Sequence, residues 1–220
     1  MTEDLLRSVF LEMFGDPVTN PKGWEEAALT DVAEIVSGVT KGRKLGGKQT
    51  VFAPYLRVAN VQDGYLNLSE IKEIEVLPTD IEKYRLLDGD ILLTEGGDPD
   101  KLGRGTVWRE HIEGCIHQNH IFRVRIKTGK LLPDFLSVLI GSERGKRYFL
   151  RAAKQTTGIA SINSSQLKNF PVLIPSLDLQ QRFAKCVVST QKLKKRLIDT
   201  ETTTDTLFNS LLQSAFRGEL

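Results

Sequence analysis

Cysteine is almost missing from this 220-residue chain: Cys115 and Cys186 are the only two, far apart and without metal-type spacing. The plain reading is a pair of reduced thiols in a cytoplasmic protein, with neither a disulfide framework nor a zinc ribbon. Histidine is scarce as well. His111, His117 and His120 gather loosely around Cys115. Alternate strand residues point to opposite faces, so 117 and 120 diverge and zinc is not expected. No apolar run approaches the ~20 residues of a membrane-spanning helix, and no membrane association is expected. The first ten residues, MTEDLLRSVF, carry acids and lack the basic-then-apolar order of an export signal.

The signatures of common catalytic machinery are lacking too. GDILLTEGGDPDKLGRG, residues 89–105, packs five glycines into a short span with Asp90, Glu95, Asp98 and Asp100. A Walker-type phosphate loop ends in Gly-Lys-Ser/Thr, because the lysine reaches the terminal phosphates and the hydroxyl binds magnesium. GGDPDKLGRG has no such ending. A calcium loop alternates its acids around a central glycine and closes on Glu; here the order is wrong and Pro99 breaks the spacing. The stretch reads instead as a turn at Asp88 and Gly89 into a strand, DILLT, with a long loop back into GTVWR. Neither Pro99-Asp100 nor Pro133-Asp134 is followed by the Asp/Glu-x-Lys triplet of a metal-dependent nuclease. No Asn-Pro-Pro-aromatic loop or glycine-rich cofactor turn points to a base methyltransferase, and no Ser/His/Asp arrangement can be argued. No active site and no cofactor are expected in this chain.

What is present is the composition of a folded protein, 40% hydrophobic with ten Phe, which argues against disorder. The net charge of +2 conceals a segregation. Residues 35–62 contain no acid but hold Lys41, Arg43, Lys44, Lys48 and Arg57. Residues 63–100 hold eleven acids against Lys72, Lys83 and Arg85. Residues 141–170 are basic again, with Arg144, Lys146, Arg147, Arg151, Lys154 and Lys168 against Glu143. The alternation predicts a positive face and a negative back, the footprint of a phosphate-backbone binder.

Residues 4–14 predict a short amphipathic helix ended by Gly-Asp-Pro. LTDVAEIVSG suits a helix capped by Thr30 or Asp31 and stopped at Gly38. YLRVANV and YLNL predict a hairpin turning at Asp63 and Gly64. IKEIEVL alternates as a strand, PTDIEKY is a helical turn, and CIHQNHIFRVRI is a further strand. LPDFLSVLIGSERGKRYFLRAA returns to helical periodicity, and FPVLIP is a short strand bracketed by prolines.

From 177 to 216 there is neither Pro nor Gly, and the pattern becomes heptad-like. Phe183, Thr190, Leu197, Thr204 and Leu211 share one seam position; Cys186, Leu193, Thr200, Leu207 and Ser214 share the other. So long an unbroken periodic stretch predicts a coiled coil rather than a core helix. Its threonines make a weak zipper that needs a partner strand, and Phe183, Cys186, Leu193, Leu197, Leu207 and Leu211 are its expected contacts. The N-terminal LLRSVFLEMF, residues 5–14, also echoes LFNSLLQSAF, residues 207–216, position by position. The echo suggests a chain that starts on the tail of the kind of helix on which it ends.

The remaining polar segments suit nucleic acid. Arg and Lys pair with guanine edges and phosphates, and Asn and Gln make bidentate pairs with adenine. The glycine-rich TKGRKLGGKQT supplies Lys41, Arg43, Lys44 and Lys48, followed by Arg57 and Asn60. Lys101 and Arg104 come from the second glycine-rich loop, and His117, Gln118 and Asn119 from HQNH. KQTTGIASINSSQ adds Lys154, Gln155, Thr156, Thr157, Ser161 and Asn163. Two rival classes stay open beside a DNA-binding module: a free-standing DNA endonuclease or methylase, and a coiled-coil adaptor that does not bind DNA.

LTDVAEIVSGVTKGRK, YLRVANVQDGYLNL, LLDGDILLT, TTGIASINSSQLKNFPVLIPSLDLQQRFA and LLQSAFRGEL occur in order along nearly the whole chain. Together they resemble the specificity (S) subunit of type I restriction-modification systems. Such subunits usually carry two target-recognition domains, each followed by a long helix, the two helices packing antiparallel. The resemblance implies a half-length form: an N-terminal helical segment (1–16), a mixed α/β (α+β) target-recognition domain (17–176) and a long spacer or dimerisation helix (177–220) forming an antiparallel coiled coil. Pro175, Leu177, Gln180 and Gln181 resemble the junction from domain to helix. The implied role is non-catalytic: to bind double-stranded DNA at one half of a bipartite target and to dock methyltransferase (M) subunits, with a restriction (R) subunit in the full complex. S-adenosylmethionine is expected in the M subunit, and a homodimer through the C-terminal helix is expected. The family's base-reading residues follow no fixed motif, so those named above rest on chemistry alone.

Overall fold

A computed structural model describes residues 2–97, 102–109, 112–156 and 159–217. Helix α1 (Thr2–Phe14) ends where the Gly15 N–H bonds the Leu11 carbonyl. β1 (Glu25–Ala28), a single turn α2 (Leu29–Val32) and β2 (Ala33–Ser37) follow. A long loop leads to β3 (Val51–Leu56), a 3-10 turn (Val58–Asn60), β4 (Lys72–Val76), α3 (Pro78–Tyr84) and β5 (Ile91–Thr94). The short strands β6 (Gly96–Gly97), β7 (Gly105–Val107) and β8 (Ile116–His117) precede β9 (Ile121–Ile126). Helices α4 (Pro133–Gly141) and α5 (Glu143–Ala152) lead to the antiparallel pair β10 (Lys154–Thr156) and β11 (Ile159–Ser161). After α6 (Ser164–Lys168) and β12 (Pro171–Ile174), helix α7 (Leu177–Arg217) runs for 41 residues.

The central sheet is antiparallel in the order β2–β9–β5–β7. β5 is buried at every position. Ile91 and Leu93 enter the largest apolar cluster, with residues of α1, α4, α5 and α7, while Leu92 enters a second with Leu56, Trp108 and Ile121. The two-residue period of the strand divides them between the two faces. A second sheet, β4–β3–β8, includes a parallel pairing of β3 with β8. β1 pairs with β12 from Glu25 opposite Ile174 to Ala28 opposite Pro171, closing the domain just before α7. The architecture is mixed α/β.

Several predicted elements form differently. LTDVAEIVSG is helical for only four residues, because Ala33–Ser37 pairs antiparallel with β9 and buries Ala33 and Ile35 in strand alternation. Pairing with a buried strand outweighs a modest helix preference. The hairpin of YLRVANV and YLNL shrinks to a bridge between Val61 and Leu66, with Asp63 and Gly64 at its tip and Gln62 N–H on the Tyr65 carbonyl. CIHQNHIFRVRI is two strands split by a turn at Gln118–His120, where Ile121 N–H bonds the Gln118 carbonyl. The long helical stretch after Leu131 breaks at Ser142 into α4 and α5. The turn into β5 forms as predicted: Asp90, 1% exposed, accepts the Leu87 N–H and pairs with Arg125 through two 2.7 Å hydrogen bonds.

α1, α4 and α7 meet in a ring cluster. Phe183 lies 5.5 Å from Phe10 and 5.3 Å from Phe14, and Phe135 lies 5.8 and 4.7 Å from the same two rings. Aromatic pairs at these separations add to their area burial. In the single chain Phe183 is therefore a core residue, 0% exposed and covered by α1 and α4, and not the outward-facing seam position the heptads predict. One turn earlier the buried Gln180 accepts the Leu132 N–H at 2.8 Å and donates to the Lys130 and Pro175 carbonyls at 2.9 and 2.8 Å. It fixes the root of the long helix to the entry of α4. Gln180→Leu strands one N–H and two carbonyls away from water, so chemical denaturation should register a loss of roughly 3 kcal/mol. An unfolding free energy within 0.5 kcal/mol of the parent would deny Gln180 this role.

Candidate nucleic-acid interface

The basic loop after β2 is anchored at its root and open at its tip. Val39 N–H bonds the His117 carbonyl at 2.8 Å, and Asn119 N–H bonds the Val39 carbonyl at 2.9 Å. Gly38 makes this approach possible, since a Cβ there would lie 1.9 Å from the His117 oxygen. The root of TKGRKLGGKQT thus lies against the HQN turn. Lys41, Lys44 and Lys48 are exposed. Arg43 instead bonds the Asp80 carboxylate. Burial works against that carboxylate, but the Arg43 guanidinium and the Leu77 N–H outweigh it and hold Asp80 below the usual carboxylate range.

Part of the acidic stretch folds onto the basic one. Besides Arg43 and Asp80, Arg57 pairs with Glu70 at 2.9 Å, and Thr50 donates to Glu75 at 2.6 Å across β3 and β4. Asn60, expected among the base readers, is 3% exposed. Its amide donates to the Asn67 and Glu70 carbonyls and its oxygen accepts the Arg57 N–H, which pins the chain after the 3-10 turn. It is a structural residue.

His117 is likewise removed from the surface. It is 0% exposed, with Nδ1 3.1 Å from the Tyr84 carbonyl and Nε2 3.3 Å from that of Val36. Burial pushes its imidazole down to about 4. Cys115 beside it is buried too, and its thiol is pushed up to about 12. Among the described residues no group of three or more His, Cys, Asp or Glu is placed to hold a metal ion.

A second set of polar groups surrounds an open cleft of about 430 Å³ lined by Val58, Glu95, Gly96, Gly97, His120 and Ser161. His120 Nδ1 sits 2.6 Å from Glu95 Oε2, and Asn119 Nδ2 lies 3.4 Å from His120 Nε2. β6 pairs with β11 here, and a Cβ on Gly96 would come within 2.8 Å of the Ala160 oxygen. The glycine pair lets Ala160 and Ser161 lie directly on β6, just past the end of β5. Glu95 and His120 were not legible as partners, because 25 residues separate them and only the β5–β9 pairing joins them. Gln118 and Asn119 are half-buried beside this cleft and Ser161 lines it. Asn163 is exposed but caps α6, accepting the Gln166 N–H at 2.9 Å. Arg104 is half-buried. Lys101 and Thr157 lie outside the described residues, as do the side chains of Lys154, Gln155 and Thr156.

Along α7, Cys186 is half-buried, and Leu193 and Leu197 are 46% and 45% exposed. The side chains of Leu207 and Leu211 lie outside the description. No described helix is long and apolar enough to cross a membrane.

Residues 21–202 match the model of the type I restriction modification DNA specificity domain. The chain belongs to this family. Among curated proteins it is 28% identical over 167 residues to a putative type I restriction enzyme MjaX specificity subunit of Methanocaldococcus jannaschii, covering 75% of this chain and 39% of that one. It is 25% identical over 206 residues to the type I restriction enzyme StySPI specificity subunit of Salmonella potsdam, covering 90% and 43%. The chain thus spans less than half the length of these specificity subunits. In fold it resembles the HsdS subunit of Thermoanaerobacter tengcongensis, with a TM-score of 0.56 at 21% identity, over all of this chain and 51% of that one.

The buried imidazole has a consequence for this specificity domain. The unfolded chain takes up a proton on His117 near its ordinary value of 6.5, whereas the folded chain does so only near 4. The His117 contribution to stability is therefore level above pH 6.5 and falls by about 3 kcal/mol as pH drops from 6.5 to 4. Urea titrations at pH 7.5, 5.5 and 4.5 on the parent and on His117→Gln should show a shallower decline in the variant; parallel declines would remove His117 as the cause.

Proposed function

We propose that this chain is a non-catalytic, sequence-specific reader of double-stranded DNA in a type I restriction-modification system, working in the cytoplasm. Residues 17–176 form the recognition unit and contact one half of a bipartite target. Methyltransferase subunits dock on the chain, a restriction subunit joins in the full complex, and S-adenosylmethionine is held by the methyltransferase, which extrudes the target adenine from the stack. Two copies pair antiparallel through α7, giving a two-fold reader of two half-sites held a rod's length apart. At 1.5 Å per residue the rod is about 60 Å long.

The observation that carries this reading is one juxtaposition in a member of the specificity-domain family. The exposed Lys41, Lys44 and Lys48 rise from a root hydrogen-bonded to the Gln118–Asn119 turn, which borders the glycine-edged cleft at Glu95, His120 and Ser161. Flexible ammonium groups suit phosphates, which position a protein without reading sequence; the amides and hydroxyls beside them suit base edges. Asn60 and His117 are withdrawn from the reading set, because both are spent on the interior. Arg43 and Arg57 enter only if DNA displaces Asp80 and Glu70. Lys101, Arg104, Gln118, Asn119, Lys154, Gln155, Thr156, Thr157, Ser161 and Asn163 remain.

Affinity for duplex DNA, measured by fluorescence anisotropy between 50 and 200 mM salt with the modification partner present, should fall linearly on a log–log plot. The combined variant Lys41→Ala, Lys44→Ala and Lys48→Ala should lower the slope by up to about 3, near 0.9 per phosphate contact, and weaken all sequences alike. Affinity that ignores salt, or a variant that changes sequence preference at constant slope, would refute the phosphate role.

A further inference from the structure

The apolar pattern shared by residues 5–14 and 207–216 meets opposite fates. Leu6, Phe10 and Phe14 in α1 occupy the positions of Phe208, Leu212 and Phe216 in α7. Phe10 and Phe14 are 2% and 1% exposed, and Leu6 packs on the same core. Phe208, Leu212 and Phe216 are 60%, 40% and 88% exposed. One sequence pattern is seated and its copy is bare.

The seat is the first part of α7 itself. Phe183 packs against both the Phe10 and Phe14 rings, and Leu6 and Arg7 line one groove with Val187, Thr190 and Gln191. Numbers rise along α1 as they fall along α7, so the two helices are antiparallel. At 3.6 residues per turn, Phe183, Val187, Thr190, Phe208, Leu212 and Phe216 lie on one face of α7. A second α7 laid antiparallel on this face would bring its bare Phe208, Leu212 and Phe216 to the residues that hold α1. Matching those three to Leu6, Phe10 and Phe14 puts the two-fold axis near the midpoint of α7, so the rods overlap along nearly all their length and both ends are satisfied at once.

We propose that α1 and residues 207–216 of a second copy are alternative occupants of the seat at Phe183 and Val187. This rests on the antiparallel pairing proposed above and says which surface performs it. In the single chain α1 caps the seat; in the pair the second copy's helix end replaces it. Tethered through the short segment 15–24, α1 competes at an effective concentration of the order of millimolar. Pairing therefore depends on concentration and gains from burial along the whole rod.

Hydrogen exchange read by mass spectrometry on the full chain, across a concentration series with sedimentation equilibrium in parallel, tests the exchange. As dimer forms, peptides covering 207–216 should gain protection while those covering 2–14 lose it. Phe208→Ser with Phe216→Ser, both at exposed positions, should weaken pairing at least tenfold and leave the melting of dilute protein unchanged. Leu6→Ala should tighten pairing several-fold. A dimer that protects 207–216 while α1 stays protected overturns the exchange and leaves the pairing standing. A dimer in which 207–216 stays unprotected, or pairing indifferent to the two serine substitutions, places the contact elsewhere and overturns the exchange. No dimer up to several hundred micromolar overturns the pairing reading and the exchange with it.

Discussion

The contact among Phe10, Phe14, Phe135 and Phe183 fixes how everything outside the domain is aimed. A helix of 41 residues has too weak an apolar seam to hold a direction by itself, with threonine recurring at core-type positions. Its orientation is set in its first two turns, where Phe183 enters the ring cluster and Gln180 bonds backbone groups of the α4 entry and of Pro175. Close-packed interiors transmit strain and do not flex continuously. Small angular changes at this joint are amplified over a rod of about 60 Å. Joint and rod together convert a local packing problem into a fixed direction for the whole helix.

The proposed reading surface follows the opposite logic. Its loops are rooted by main-chain hydrogen bonds and short bridges, at Val39 against His117 and Gln118 and at Gly96 against Ser161. A rigid scaffold that ends in adaptable loops is where binding residues concentrate. Gly38 and Gly96 keep this scaffold tight, because both sit where a side chain has no room. Substitutions at the loop tips can then alter contacts without disturbing the sheets, whereas changes at the roots disturb both.

Legibility in the sequence tracked the range of the forces involved. Elements set by local chemistry were readable: the turn at Asp88 and Gly89, the proline-led α3, the alternating β4 and the uninterrupted α7. Elements set by distant partners were not. Ala33–Ser37 is a strand because β9 lies beside it, nearly ninety residues later in the chain. HQNH looked like a row of free hydrogen-bonding side chains, yet His117 fills an interior position while His120 meets Glu95. A histidine and an asparagine carry no mark telling whether they will face water or a carbonyl. The same holds for Phe183, whose heptad position matched a seam but whose ring was needed by α1 and α4.

Charge shows the sharpest difference between composition and structure. The basic and acidic segments were separable on paper, but folding brings Asp80 to Arg43 and Glu70 to Arg57, and at the domain's other side Glu26 to Arg144. Arginine's planar fork suits such fixed, partly buried carboxylate pairs, and lysine's mobile ammonium suits solvent. The loop thus separates two cations of equal formal charge: Arg43 braces it against α3, and the exposed Lys41, Lys44 and Lys48 carry its outward charge. Counting both kinds alike overstates the positive surface. Sorting the loop's cations by partner leaves its outward charge on Lys41, Lys44 and Lys48, whose root lies against the Gln118–Asn119 turn, and where charge is placed, beyond its total, is what orients a polyanion on a protein.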